Sequence, residues 1–470
     1  MLHSDRFFPS DPTIRSIAQR LFQEIEHLPL ICAHGHTDPE WFAFNQNFTN
    51  PAELLIVPDH YILRMLVSHG IDLNSLGVSA LDGTIQESDG REIWRLFVGN
   101  YTLFRSTPVR HWMDHTLETL FHIEAPLTLK DADHTYDKIS DALKTDAFRP
   151  RALYEDFNIE ILATTDSCLD DLSQHKEIAD SGWAGRVVPT YRPDAVTNPD
   201  MVGFHDAIRK LGEITGEDTS DWGGLLRAHR ARRQDFIALG ATATDHGHPS
   251  AITCDLSIAN CSALYADVLF GKATDDQKEA FRGQMLTEMA RMSIDDGLVM
   301  QLHPGSVRSH SRFISERYGG DKGFDIPMRT DFVHALKPLL DAHGHDRRLT
   351  LVLFTLDEST YGRELAPLAG AYPCLRLGPA WWFFDSPDAM MRYRQTTTET
   401  AGYYNCVGFN DDTRALPSIP ARHNLARRID SAFLARQVAE HRLGEDEAAE
   451  VAVDLAYGLA KRAYKYGGAT

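Results

Sequence analysis

The chain has 470 residues, 43% hydrophobic and 24% charged, a composition that supports a large buried core and argues against disorder over most of the length. Its formal net charge of −20 argues against broad attraction to nucleic acid or to an anionic membrane. An acidic substrate must therefore be held by a few placed cations rather than by the overall field.

Residues Met1 to Ser10 lack the charged start and apolar core of a leader, and no run approaches the roughly 18 apolar residues of a membrane span, so a cytoplasmic location is expected. The six cysteines, at 32, 168, 254, 261, 374 and 406, show no Cys-x-x-Cys spacing, which points to a reducing compartment without a zinc ribbon or disulfide framework. A helix-like region over Pro12–Leu28 breaks at Pro29. A short apolar run then leads into His34-Gly35-His36. Side chains alternate along a strand, so the two imidazoles point to one side and both reach one cation. Gly35 between them lets backbone approach closely.

Seven more β-rich runs follow, each ending in polar or ionisable residues: Ile159–Asp166, Arg186–Arg192, Ala241–His246, Leu298–His303, Leu349–Asp357, Cys374–Trp382 and Tyr403–Asp411. Continuous apolar strands alternating with helical segments predict an α/β fold with a parallel sheet, and eight of them fit a closed (β/α)8 barrel. Functional groups then belong at the C-terminal strand ends, where His34, His36, Asp166, Arg192, Asp245, His303, Asp357, Asp411 and Asp412 fall. Between the first and second runs lie about 120 residues, far more than one barrel helix needs. Residues 37–158 are read as a mostly helical insertion over the barrel mouth, with helical spacing over Ala52–Gly70 and Val109–Phe121. It carries Pro58-Asp59-His60-Tyr61 and Arg64, whose side chains are placed to reach the site. The division is thus 1–36 with the first strand, 37–158 as insertion, and 159–470 as the rest of the barrel, including a smaller insertion over Ser250–Thr274. Closing helices over Arg422–Leu443 and Glu445–Lys465 precede a frayed end at Gly467–Thr470.

Imidazole plus carboxylate suits a divalent first-row ion such as zinc. His34 and His36 neighbour the last strand in a closed barrel, which brings Asp411 or Asp412 into reach, and His303 faces them across the mouth. Arg192 and Arg414 supply planar forks that bind a carboxylate bidentately, alongside the competing reading of internal pairs with Asp194 and Asp412. Trp381-Trp382-Phe383-Phe384 offers a flat apolar wall for a sugar ring, one of the two tryptophans being core. The basic stretch Arg227–Arg233 reads as a solvated or ion-paired helix face. Neither Gly-x-Gly-x-x-Gly nor a Walker loop is present, so no nucleotide cofactor is expected.

Taken together, His34-Gly35-His36, Asp59-His60-Tyr61 with Arg64, Thr164-Thr165-Asp166, Arg192-Pro193-Asp194, Asp245-His246, Gln301-Leu302-His303, Gly378-x-x-Trp381-Trp382-Phe383 and Asp412-Thr413-Arg414 resemble the uronate isomerase family of the amidohydrolase superfamily. The resemblance runs in order from about residue 25 to 430, with departures at Thr37, Ser167-Cys168 and Leu356-Asp357-Glu358. It implies interconversion of D-glucuronate with D-fructuronate and of D-galacturonate with D-tagaturonate. In that reading Arg192 and Arg414 clamp the substrate carboxylate, and His34, His36 and Asp412, with His303 as a further ligand, hold zinc. Asp412 is the first choice of base with Asp245 as substitute, and His60 or Tyr61 moves hydroxyl protons. The implied partner is a small sugar acid, with self-association into a homo-oligomer left open. The competing function is a metal-dependent hydrolase of a small acidic ester or amide. Against it, Asp245 stands at the fourth strand end where a lysine would bridge two metals.

Overall fold

The computed structural model describes residues 2–124 and 126–467, so the expected frayed end beyond Gly467 lies outside the described residues. Helix Pro12–Ile25 starts where Asp11 accepts a hydrogen bond from the Ile14 amide and Pro12 fills the first turn, and it buries Ile17, Leu21, Phe22 and Ile25. The long C-terminal helix Ile419–Ala439 packs against it. From that helix Arg427 donates to the carbonyls of Glu26, Leu28 and Pro29, which fixes the chain just ahead of the first strand.

The strands are β1 Leu30–Cys32, β2 Ile159–Ala163, β3 Asp166–Ser167, β4 Val187–Val188, β5 Tyr191–Arg192, β6 Ala243–His246, β7 Val299–Leu302, β8 Ser306–Val307, β9 Ile326–Pro327, β10 Leu351–Leu353 and β11 Leu375–Leu377. They pair in parallel in the orders β1-β2-β4 and β11-β10-β7-β6-β5-β3, while β8 and β9 form a small antiparallel pair. The second and third expected runs are each interrupted once, as β2 and β3 and as β4 and β5. The Thr164 amide bonds the Val188 carbonyl across this gap, so the two pieces of each run stay in register. Along β1 the pleat sends Leu30 and Cys32 into an outer apolar cluster with Phe42, Leu153 and Leu162, and Ile31 and Ala33 into the main core.

Strands β1, β7, β10 and β11 stop before the polar ends of their sequence runs, whereas β3, β5 and β6 reach theirs at Asp166, Arg192 and His246. The eighth run forms no strand. It makes one parallel bridge from Cys406 to Leu377, and further on the Asp412 amide bonds the His34 carbonyl (3.1 Å) and the His36 amide bonds the Thr413 carbonyl (2.9 Å). The interruption has a local cause at Gly408, which sits at φ +81° with the Leu455 carbonyl 2.9 Å from where a Cβ would stand. Below this segment Tyr464 accepts from Asn410 Nδ2 and donates to Gln301 Oε1, tying the C-terminal tail to β7.

Residues 37–158 carry helices at Pro39–Phe44, Pro51–Leu55, His60–Ser68, Gly90–Gly99, Pro108–Thr119, Ala132–Leu143 and Pro150–Asp156. The expected Ala52–Gly70 helix is two, split at Pro58, and the second begins at Asp59, whose side chain caps the Tyr61 amide. All six cysteines are free. Among the described residues no helix is long and apolar enough to cross a membrane. In the Arg227–Arg233 stretch, Arg233 is fully buried and paired with Asp296 (2.6 Å), and Arg232 donates to the Cys168 carbonyl, so the stretch is ion-paired structure.

Candidate active site

The C-terminal ends of the parallel strands open into a cavity of about 970 Å³. His34, His36, His60, Arg192, His303, Trp381, Trp382, Asp412 and Arg414 line it, so nine of the residues singled out in the sequence converge on one space. Asp245 and Tyr61 sit behind the lining.

Two cross-chain bonds, His34 carbonyl to Asp412 amide and His36 amide to Thr413 carbonyl, bring the first and last segments together. As a result Asp412 Oδ1 lies 3.6 Å from His34 Nε2 and 3.3 Å from His36 Nε2. The other carboxylate oxygen, Oδ2, accepts from Trp381 Nε1 (2.7 Å), so the indole orients the carboxylate and leaves Oδ1 buried without a hydrogen-bond donor. Burial, with Arg414, His34 and Arg192 nearby, holds His36 well below the usual imidazole range, so its lone pair is free at neutral pH. Ligand atoms of His34, His36 and Asp412 all lie within 4.8 Å of one another. Two imidazole nitrogens facing an orphaned carboxylate oxygen form a donor set that fits a divalent cation.

His303 turns to Asp245 instead, its Nε2 lying 2.8 Å from Asp245 Oδ1 without hydrogen-bond alignment. Asp245 is wholly buried, with Arg192 Nη1 3.4 Å from Oδ2 and His34 Nδ1 3.9 Å from Oδ1. Burial alone would push its carboxyl up, but His303, Arg192 and His34 outweigh that and hold it well below the usual range. Asp412 goes the other way, since burial pushes it up against the opposing pull of His34, Arg422 and Arg414. Its neighbour Asp411 faces away from the cavity group and bonds His423 Nε2 (3.2 Å).

Arg192 is held at Nε and Nη1, and Arg414 at Nε. Arg192 Nε donates to Asp194 Oδ2 (2.9 Å), the internal pair weighed in the sequence. Arg414 does not pair with Asp412; its Nε donates to His60 Nδ1 (3.1 Å), and its Nη2 lies 3.7 Å from Asp321 Oδ2. An arginine N–H only donates, so His60 Nδ1 must accept, and the neutral ring carries its proton on Nε2. That atom is buried without a partner. Burial and Arg414 lower the His60 pKa to about 3, which keeps the ring neutral. Tyr61 stacks on His60 at 4.7 Å between ring centroids, with its hydroxyl unpartnered, and burial keeps it protonated. Both tryptophans are buried and both reach the cavity, so neither is core alone.

No sequence motif marks Asp321 or Arg308, which reach the cavity from the segment between β8 and β9. Gly247 was passed over as well. A Cβ there would stand 2.6 Å from Arg192 Nη2, whereas at Gly35 it would make ordinary contacts at 3.6 Å and beyond. The close approach expected at the first glycine occurs at the second.

Residues 6–464 match the sequence profile of glucuronate isomerase. The chain belongs to the glucuronate isomerase family. The uronate isomerase of Rhizobium meliloti is 60% identical over 465 residues, covering 99% of each chain. The crystal structure of glucuronate isomerase from Caulobacter crescentus superposes with a TM-score of 0.98 at 53% identity, over 100% of this chain and 98% of that one. The uronate isomerase from Thermotoga maritima gives 0.91 at 25% identity, over 99% of both chains. Membership favours an aldose–ketose isomerase over the hydrolase, and the family's reaction is the frame for the geometry above.

Proposed function

We propose that the chain interconverts D-glucuronate with D-fructuronate, and D-galacturonate with D-tagaturonate, by an aldose–ketose shift. The observation that carries this reading is the meeting of two edge-held arginines with the His34, His36 and Asp412 group on one cavity. We read the eight segments as a closed (β/α)8 barrel with residues 37–158 as a helical insertion over its mouth, working in the cytoplasm. Support for closure comes from the hydrogen bonds that join 34–36 to 412–413.

The substrate carboxylate goes to Nη2 of Arg192 and to the Nη groups of Arg414, since Arg192 Nε and Nη1 face Asp194 and Asp245 and Arg414 Nε is taken by His60. Trp381 and Trp382 flank the carbon chain. His34, His36 and Asp412 would hold a divalent cation, zinc by preference of the donors, which supplies polarisation of the C1 and C2 oxygens. His60 presents Nε2–H to these oxygens as a neutral donor, and Tyr61 behind it serves hydroxyl proton movement. Asp412 moves hydrogen between C2 and C1. It is favoured over Asp245 because it lines the cavity, whereas Asp245 is wholly buried behind the lining against His303, Arg192 and His34.

The test is turnover of D-glucuronate in deuterated water by wild type and Asp412→Asn. Wild type forms the ketose, and the variant loses about 10²–10⁴-fold in kcat, the usual worth of a positioned base. Deuterium at C1 of the product marks proton abstraction, and its absence marks either a direct shift or a base shielded from solvent. No ketose from metal-supplemented wild type, or a variant within tenfold of it, overturns the assignment.

A further inference from the structure

The end of β6 carries a second His-Gly-His, His246-Gly247-His248, and the fold gathers it with a carboxylate as it does the first. Ligand atoms of Asp194, His246 and His248 all lie within 4.8 Å of one another, in a group that shares no residue with His34, His36 and Asp412. Both histidines are buried, and the Nδ1 of each has no hydrogen-bond partner.

The tautomer of His248 follows from its neighbour. Thr197 Oγ1 has a single proton, which it donates to the Pro193 carbonyl (3.2 Å), so its 3.1 Å bond to His248 Nε2 has the imidazole N–H as donor. A neutral ring protonated on Nε2 presents a bare lone pair at Nδ1. His246 has the same layout, with Nε2 3.0 Å from Thr244 Oγ1 and Nδ1 unpartnered. Burial lowers His246 to about 3 and His248 to about 4, so both rings are neutral at pH 7. Asp194 accepts from the Gly247 amide (3.1 Å to Oδ1) and from Arg192 Nε (2.9 Å to Oδ2), which leaves further lone pairs on the carboxylate. His248, its outer N–H held by an oxygen and its inner lone pair left bare, is arranged as a metal ligand usually is, and His246 takes the same arrangement when Thr244 Oγ1 accepts from its Nε2. Asp194 and His248 also line the main cavity, which provides a path for an ion.

We propose that Asp194, His246 and His248 form a second cation site, taking a zinc-class divalent ion on two imidazole nitrogens and one carboxylate oxygen, with remaining positions filled by water from the cavity.

The test is equilibrium dialysis of tag-free, metal-stripped chain against Co²⁺, with the visible absorption of bound cobalt recorded alongside. It reads bound metal, so it stands or falls independently of the isomerase assignment. The His246→Gln/His248→Gln double variant is expected to bind one Co²⁺ equivalent fewer than wild type, and His34→Gln/His36→Gln to keep one equivalent with its absorption band. The proposal is overturned if the first double variant, folded by circular dichroism, binds as much Co²⁺ as wild type. If that variant does not fold, the second decides: one equivalent kept supports the site, and none overturns it.

Discussion

Gly247 is the position where the smallest change should do the most to the acid clamp. Its φ is not in the left-handed region, so Gly247→Ala adds no backbone strain, and the effect comes from space alone. The new Cβ would stand 2.6 Å from Arg192 Nη2, 2.9 Å from Asp194 Oδ2 and 2.9 Å from His303 Cε1. To reach an ordinary 3.4 Å contact the guanidinium must retreat by about 0.8 Å. Retreat is resisted, because Arg192 is tied at Nε to Asp194 and at Nη1 to Asp245. A charge-assisted hydrogen bond to the substrate carboxylate is worth about 1.5–3 kcal/mol, and a misplacement near 1 Å forfeits most of it. The expected loss in kcat/KM for D-glucuronate is therefore about 10- to 150-fold, carried mainly by KM because the carboxylate lies away from the reacting carbons. Steady-state kinetics with circular dichroism as a fold control measures it. A folded Gly247→Ala whose kcat/KM stays within threefold of wild type would refute the placement of Arg192 on the substrate.

Two predictions concern stability. Burial raises the Asp166 carboxyl to about 7, with the Thr164 hydroxyl bond opposing. The folded state therefore holds a proton that the unfolded state has released between pH 4 and 7. By linkage its contribution to stability is fully present below pH 4 and is lost as pH rises toward 7, by at most about 4 kcal/mol. Asp166→Asn should raise Tm over wild type at pH 8 and match it near pH 4, and equal Tm values at both would show that the carboxylate is not buried at a cost. For the metal group, a saturating divalent cation stabilises the fold by about 2.7 kcal/mol at one hundred times Kd. Zinc added to metal-stripped chain should raise Tm in differential scanning fluorimetry, and the rise should shrink in His34→Gln/His36→Gln. An unchanged rise would remove those histidines from the site.

The pattern of the fold was legible where hydrophobic periodicity sets it. Seven apolar runs became parallel strands, because period-two alternation acts locally, and the polar ends of most of them met on one cavity, Asp357 of the sixth lying outside its lining. The eighth run forms no strand because Gly408 takes a positive φ that an extended ladder does not accommodate, against a β-rich composition. Distance-dependent facts were out of reach as well. Its place at a strand end put Asp245 among the candidates but said nothing of His303, Arg192 and His34 closing over it. Nor does any pattern tell that Arg414 would take His60 rather than Asp412, since that contact spans 354 positions and depends on how a helix of the 37–158 region docks.

The overall charge bears on how an anion enters such a site. A chain carrying −20 repels a uronate at long range, while the cavity concentrates Arg192, Arg308 and Arg414 within a few residues of the reacting groups. The two fields respond differently to salt. The Debye length falls from about 30 Å at 0.01 M to about 8 Å at 0.15 M, so long-range repulsion is screened away. Arg192 and Arg414 have only about a quarter of their side-chain surface exposed, and contacts made inside the cavity are screened far less. Raising sodium chloride over that range should therefore leave kcat/KM for D-glucuronate flat or increase it a few-fold. An enzyme steered by its whole surface would lose rate instead. A fall of more than fivefold would mean that distant surface cations, and not the two edge-held arginines, recruit the substrate.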